Sequence, residues 1–331
     1  MGKQKEENIL HKKEEKVIHK KKELSVLDLP GVGAATADKL QNSGFNNLLS
    51  IAVSSPGQIM EIAGMTESAT RKIITFARDA LDMGFESGVE LLEKRKNINR
   101  ISTSSQSFDT LMNGGFESGV ITECFGEYGS GKTQIGHILA VNAIRDNPDA
   151  FAIYIDTENT FRPERFIQLA EGAGLDPEEA LKKVKIARAY NSDHQLLLAD
   201  KVYEMLKDGE TKASILIIDS LTSHFRAEFI GRGTLATRQQ KLNKHMHTLL
   251  QIADVHNIVV YVTNQVMSKP DTFFGDPTQA IGGHVVAHSS AFRIYLRKGK
   301  KGSRVAKLVD SPNLPDGECN FFVETPGLRD V

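Results

Sequence analysis

Gly126-Glu127-Tyr128-Gly129-Ser130-Gly131-Lys132-Thr133 decides how this chain folds. The spacing is G-x-x-x-x-G-K-T, and Gln134 follows at once. The apolar run Gly119 to Phe125 ahead of it reads as a strand, and Gln134 to Arg145 behind it reads as a helix. A phosphate-binding loop needs that strand–loop–helix setting. Its glycines let consecutive backbone N–H groups turn inward around an anion, and the helix N-terminus adds its positive dipole end. In such a loop Lys132 reaches the β- and γ-phosphates and the Thr133 hydroxyl ligates Mg²⁺. The stretch predicts a nucleoside triphosphate site on an α/β sheet.

Outward from it, residues 101–331 alternate short apolar runs with amphipathic stretches. Strands are expected at Val120–Phe125, Phe151–Ile155, Val184–Ala187, Ile215–Ile218 and Ile258–Thr263. Helices are expected near Arg162–Gly172, Ser192–Lys207 and Ala236–His256. That alternation predicts right-handed crossovers and a mainly parallel sheet covered by helices. The closely spaced runs Ala291–Leu296, Val305–Leu308 and Asn320–Val323 read as antiparallel strands appended to it.

Two strand ends carry acids. Asp219 closes Ile215–Ile218, the position from which a carboxylate faces the crevice of an open α/β sheet and holds Mg²⁺ through water. Asp156-Thr157-Glu158 closes Phe151–Ile155 in the same way. Hydrolysis needs one carboxylate not tied to the metal, and the residues leave Glu158 and Asp156 both open as that base. Asn264-Gln265 places amides at a third strand end, where they either bond a γ-phosphate or make an ordinary turn. Two Gly-bearing loops combine cations with apolar residues: Arg226 to Arg238, and Val266 to Gly283 with Lys269 and Phe273. Such loops suit a nucleic-acid strand, cations on phosphates and apolar groups between bases. The length of the second without an element of its own marks it as functional or disordered.

Residues 24–82 are helical in pattern. Leu29-Pro30-Gly31-Val32-Gly33 reads as the hairpin of a helix–hairpin–helix unit, and Ile62 to Thr66 reads as a weaker second copy. Gly31 and Gly33 suit a helix N-terminus that meets a phosphate oxygen of duplex DNA without reading its sequence, and the other reading is a small helical domain that packs or mediates protein contacts. Residues 1–23 alternate lysine and glutamate with few apolar residues and read as a solvated tail. Residues 83–100 join the helical domain to the rest, with Phe85 between Gly84 and Gly88. Such a Phe either packs on its own core or inserts into a neighbour's pocket.

The 331 residues are 40% hydrophobic and 25% charged, with net charge −1 and two cysteines. No global basic field announces nucleic acid, so any DNA surface is local. Two cysteines make no disulfide framework, and Cys124, inside the apolar strand, reads as a buried thiol. No apolar run approaches the roughly 18 residues of a membrane span, and the N-terminus lacks an apolar signal core. A cytoplasmic, nucleoid-associated location is expected, with no membrane partner.

These residues, in this order, resemble the archaeal RadA recombinases within the RecA family of DNA strand-exchange ATPases, over about residues 24 to 331. The resemblance rests on Leu29–Gly33, Gly126–Gln134, Asp156 to Arg165, Ile217 to Thr222, Gly231-Arg232-Gly233, Thr263 to Val266, Ala280 to Gly283 and Asp310-Ser311-Pro312. It implies a RecA-like P-loop ATPase core behind a small all-α helix–hairpin–helix domain. It further implies ATP with Mg²⁺ as cofactors, and single- and double-stranded DNA as partners. The chain would form a homo-oligomeric ring or helical filament and work with recombination mediators. By it Glu158 is the catalytic base, Arg165 stacks on adenine, and Gln265 couples the γ-phosphate to the second loop. Arg226, Arg232 and Arg238 contact DNA, Asp310 and Pro312 cap the neighbouring subunit's ATP, His288 lies near that interface, and Phe85 docks one subunit on the next. Asn159, Phe116 and Gly88 depart from the family pattern, the first and second where Gly is usual and the third where Ala is usual. A regulatory paralogue, a hexameric helicase and a nonenzymatic DNA scaffold are the other readings. The intact loops, the Phe85 linker and the set Lys132, Thr133, Glu158 and Asp219 count against them.

Overall fold

A computed structural model of the chain describes residues 24–81, 84–207, 209–268 and 278–331, with Arg232, Ser268 and Thr278 described by backbone only. The charged run 1–23 and the two loop residues Lys269 and Phe273 lie outside the described residues. The chain divides into two compact units between Glu86 and Ser87.

The first unit packs helices Ala34–Asn42, Leu48–Ala52, Pro56–Ala63 and Glu67–Ala80 behind a 3₁₀ turn, Val26–Asp28. Glu67–Ala80 buries Thr70, Ile73, Ile74 and Ala77, the i, i+3, i+4, i+7 stripe of an amphipathic helix. Of these, Ile73, Ile74 and Ala77 join Val26, Leu40, Ile51 and Ile59 in one buried core. The two hairpins reach a similar turn differently. In the first, Gly31 takes a left-handed φ of 79° and Gly33 caps the next helix. In the second, Gly64 ends a helix at φ 65° and the Thr66 hydroxyl accepts from Ala69 N.

The stretch read as a connection holds a helix, Gly88–Arg95, started by a capping box between Ser87 and Glu90. In chain order the strands are β1 Arg100–Ile101, β2 Phe116–Glu117, β3 Ile121–Gly126, β4 Phe151–Asp156, β5 Val184–Arg188, β6 Ala213–Asp219, β7 Val259–Asn264, β8 Val266–Ser268, β9 Thr278–Ala280, β10 Phe292–Lys298, β11 Arg304–Asp310, β12 Gly317–Glu324 and β13 Gly327–Asp330. Nine form one sheet in the order β13-β12-β11-β10-β3-β7-β6-β4-β5. Alternation decides which side chain enters which core. Tyr154, Ile217 and Tyr261 face one layer with helices Lys132–Asp146 and Pro163–Gly172. Ile153, Leu216 and Val260 face the other with Ser192–Lys207 and Leu235–His256. Burial on both faces is why these strands read as unbroken apolar runs.

One expectation needs correction. Phe292–Lys298 is not an antiparallel addition, because it runs parallel to β3. It is reached from β7 by a connection containing the helix His284–Ser289, long enough for a parallel crossover. The turn-linked β11, β12 and β13 do alternate in direction. The sheet order leaves β3 interior, with the carboxyl ends of β4, β6 and β7 on one side of it. That convergence is where open α/β sheets place their ligand crevice.

Candidate functional site

β3 delivers Gly126 against β10, so closely that a Cβ there would run into the Leu296 carbonyl. The loop then turns through left-handed residues Gly129 (φ 75°) and Gly131 (φ 107°), and Gly131 caps the helix Lys132–Asp146. Glycine is required at both angles. Ser130 is buried within the loop, while Glu127 and Tyr128 sit exposed on its rim. Lys132 Nζ donates to the carbonyls of Gly126 (2.8 Å) and Glu127 (2.9 Å). Burial lowers the Lys132 pKa, and the charges of Asp219 and Glu158 work against that. On the same helix, His137 stacks on Phe161 at 4.8 Å and bonds the Thr133 carbonyl through Nδ1. Burial pushes the His137 pKa down, leaving a neutral imidazole beneath the loop.

Asp156 and Asp219 are register partners at the ends of β4 and β6. Their hydrogen-bond partners differ in kind. Asp156 Oδ1 accepts from the backbone of Glu158 and Thr160, both 3.1 Å, and Oδ2 from Phe161 N at 2.9 Å. Its carboxylate is thus used up in folding the turn that presents Glu158. Asp219 is buried, and Tyr154 (2.8 Å), Thr160 (3.3 Å) and Thr263 donate hydroxyls to it. Glu158 instead faces the cleft and takes one side-chain hydrogen bond, from Gln265 Nε2 at 2.7 Å. Burial raises the Glu158 pKa, the Asp219 charge adds to the rise, and the Gln265 bond and Lys132 oppose it.

The two amides also divide. Asn264 is fully buried and receives Thr222 Oγ1 (2.7 Å) and Gln265 N (2.9 Å) on its oxygen. Its Nδ2 donates to Glu123 (2.7 Å) and the Ile281 carbonyl (2.6 Å). Asn264 therefore pins the residues beside Asp219 to the exit of the second loop, and Gln265 alone reaches the cleft. Behind it, Glu123 pairs with Arg293 at 2.7 Å. A carboxylate inside the apolar run of β3 was a legible signal, since a buried charge demands a partner.

The cleft measures about 540 Å³ and gathers Gly126 to Gln134 apart from Ser130, with Glu158, Asp219 and Gln265. Arg304 and Val323 also line it, and no motif pointed to either. Arg165 lies alongside, donating to Gln134 (2.7 Å) and to the carbonyls of Glu324 (2.7 Å) and Thr325 (2.6 Å). Asp310 and Pro312 are exposed and outside this lining. His288 is exposed and stacks on His284 at 5.5 Å. Phe85 is fully exposed.

Both loops carry more structure than their composition implied. Arg226 is exposed on the helix Ser223–Glu228, Arg232 begins a 3₁₀ turn, and Arg238 is the fourth residue of Leu235–His256. Leu-Ala-Thr-Arg-Gln-Gln is ordinary helix-forming sequence once a start is available. The second loop is rooted in a hairpin, with Val266 opposite Ala280 and Met267 opposite Gln279.

Among the described residues no cluster of three or more His, Cys, Asp or Glu side chains is arranged to hold a metal. The set read from sequence, Thr133 and Asp219, is a different design, in which phosphate oxygens and water complete the shell of Mg²⁺. A buried, hydroxyl-oriented Asp219 across a glycine cradle from Thr133 fits that design. Cys124 and Cys319 are both buried and unpaired. Among the described residues no helix is long and apolar enough to cross a membrane.

A glycine cradle after an interior strand, with acids at the ends of β6 and β4 on one side of it and a helical hairpin unit earlier in the chain, defines a RecA-like P-loop protein. The chain belongs to the Rad51 family, which it matches over residues 94–331. Residues 23–79 match the SAM-like helix-hairpin-helix tandem. The family comprises RecA-family recombinases, DNA-dependent ATPases of recombination and repair.

Proposed function

We propose that this chain is an ATP-dependent recombinase of the archaeal RadA type, which forms helical filaments on single-stranded DNA and carries out homologous pairing and strand exchange. The observation that carries this reading is the bond between Glu158 and Gln265. It joins a cleft carboxylate, Glu158, to the residue just ahead of the second loop. Nucleotide at the cleft and nucleic acid at the loop then act on one hydrogen bond.

In this reading the backbone N–H groups of the loop and Lys132 hold the phosphates of ATP. Thr133 and Asp219 hold Mg²⁺, which when bound screens charge on the phosphate oxygens. Glu158 accepts the proton of the attacking water, and its raised pKa makes it a stronger base than an exposed glutamate. Gln265 releases Glu158 and turns to the γ-phosphate, which moves the root of the second loop. Arg226, Arg232 and Arg238, with Lys269 and Phe273, hold the strand. Gly31 and Gly33 meet duplex phosphates, and Asp310, Pro312 and His288 complete the site of an adjoining subunit.

Turnover with and without single-stranded DNA, together with strand exchange between homologous oligonucleotides, tests the reading. DNA-stimulated hydrolysis with ATP-dependent exchange is expected. Hydrolysis with closed hexamers unwinding forked DNA would favour a helicase.

A further inference from the structure

Arg304 opens β11, on the opposite side of β3 from β7, β6 and β4. It nevertheless lines the same cleft as Lys132, Glu158 and Asp219. Its Cγ and the Val323 Cγ2 each lie 3.9 Å from the point where a Cβ on Gly131 would stand. Nη1 is fixed by the carbonyls of Gly302 (2.8 Å) and Ser303 (3.1 Å). Nε is buried and has no partner among the described residues. An arginine held at one end with a buried donor left over is built to receive an acceptor.

The sheet order says which part of a nucleotide that acceptor is. Glu158, Asp219 and Gln265 come from the ends of β4, β6 and β7, so the γ-phosphate end of the cleft lies on their side of β3. On the far side Arg304 and Val323 line the cleft. Glu324 and Thr325, next along the chain, hold Arg165 by their carbonyls, and Arg165 in turn holds Gln134. Gln134 follows the lysine and threonine that serve the β- and γ-phosphates and Mg²⁺, in a loop whose backbone cradles the α- and β-phosphates, so the Arg304 side is the one left for the α-phosphate. The β10–β11 hairpin brings a second cation to the same loop. Lys298 Nζ lies 3.4 Å from the point where a Cβ on Gly129 would stand.

Resting on the nucleotide reading above, we propose that Arg304 binds the α-phosphate of a nucleoside di- or triphosphate, as a cation supplied by the C-terminal antiparallel strands. The contact is indifferent to the γ-phosphate. It therefore sets affinity for both the spent and the unspent nucleotide, whereas Lys132 favours the unspent one.

The test is calorimetric titration of the purified full chain with ATP and with ADP, for the wild type, Arg304→Ala, Arg304→Lys and Lys132→Ala. Arg304→Ala is expected to weaken both nucleotides by the same factor, about tenfold or more. Arg304→Lys keeps the charge without the planar fork and recovers part of the loss. The melting temperature of nucleotide-free Arg304→Ala is expected to match the wild type. Unchanged affinity in Arg304→Ala, with Lys132→Ala impaired, would overturn the Arg304 assignment and leave the nucleotide site standing. A loss confined to ATP would overturn the α-phosphate placement. A loss accompanied by a lower melting temperature would make Arg304 a structural residue and overturn it too. Absence of nucleotide binding by the wild type would sink the underlying reading itself.

Discussion

Gln265 Nε2 donates to Glu158 Oε1 at 2.7 Å, joining the turn after β4 to the residue that follows β7. The amide hydrogen stabilises the charged carboxylate, so this bond holds the Glu158 pKa down against burial and the Asp219 charge. Removing it in Gln265→Ala leaves Lys132 as the main opposing influence, and the Glu158 pKa rises further. The base is then protonated at higher pH. The acidic limb of the kcat/KM pH profile, which reports the nucleotide-free enzyme, is expected to move upward. An unmoved limb, or one displaced to lower pH, would show that Gln265 does not set the base. DNA stimulation is expected to disappear in the same variant.

The neighbouring carboxylates make a second prediction. Glu158→Gln is expected to lower turnover by about 10²–10⁴-fold with nucleotide binding and melting temperature retained. Asp156→Asn replaces a carboxylate that accepts three backbone N–H groups with an amide that also presents donors to them. It is expected to cost about 1–3 kcal/mol of stability, seen in denaturant unfolding. If Asp156→Asn were stable and inactive while Glu158→Gln stayed active, the two roles would have to be exchanged.

The difference between those two acids shows where the sequence stopped. The P-loop, the strand ends and the hairpin unit are local patterns, and spacing alone placed them. Spacing leaves Asp156 and Glu158 both open as the base, and the family resemblance favours Glu158; the different hydrogen bonding of the two acids follows the path of the turn at residues 157–161, which no periodicity encodes. Asn159 belongs to that turn at φ 56°, a left-handed angle that explains both why Gly is usual there and why Asn is tolerated. Phe116, the other departure from the Gly pattern, is fully buried against Phe108 and Tyr261. Arg304 was illegible because it reaches the cleft through pairing among β10, β11 and β12, and a one-residue change of register would point it elsewhere. The parallel sense of β10 was lost because the helix among the described residues of its crossover, His284–Ser289, is six residues long.

His245 gives a prediction about stability. It is buried on the helix Leu235–His256, 3.1 Å from Gln195, whose amide also donates to the Leu221 carbonyl. Burial pushes its pKa down to about 4. The folded state therefore keeps the imidazole neutral where the unfolded chain already binds a proton. Its contribution is complete above the ordinary histidine value and is lost as pH falls from there towards 4. The loss amounts to about 3 kcal/mol at the bottom of that window. Urea unfolding across mildly acidic pH should show a shallower loss in His245→Leu than in the wild type. The residual slope carries His137 and His256, which burial shifts in the same direction. Identical slopes in the two proteins would refute the assignment.

Phe85 supplies the test of assembly. Its ring is fully exposed, three residues ahead of the helix Gly88–Arg95. On the sheet, β5 is an edge strand, and Ile186, Tyr190 and Leu197 stand exposed on and just after it. An unpaired edge beside exposed apolar side chains is the kind of surface that accepts an extended segment with an aromatic anchor. Buried in a second copy, the ring would contribute as an aromatic hot spot of about 2 kcal/mol or more, enough to govern assembly at each repeat. Phe85→Ala is expected to break long assemblies into short oligomers or monomers, read by electron microscopy with ATP and single-stranded DNA. Tyr190→Glu on the receiving surface is expected to reproduce that loss. Because neither residue lines the cleft, nucleotide affinity of the isolated subunit is expected to stay at the wild-type value in both. Wild-type filaments in both variants would remove Phe85 and the β5 edge from the interface, and filaments lost only in Phe85→Ala would move the receiving surface elsewhere on the core.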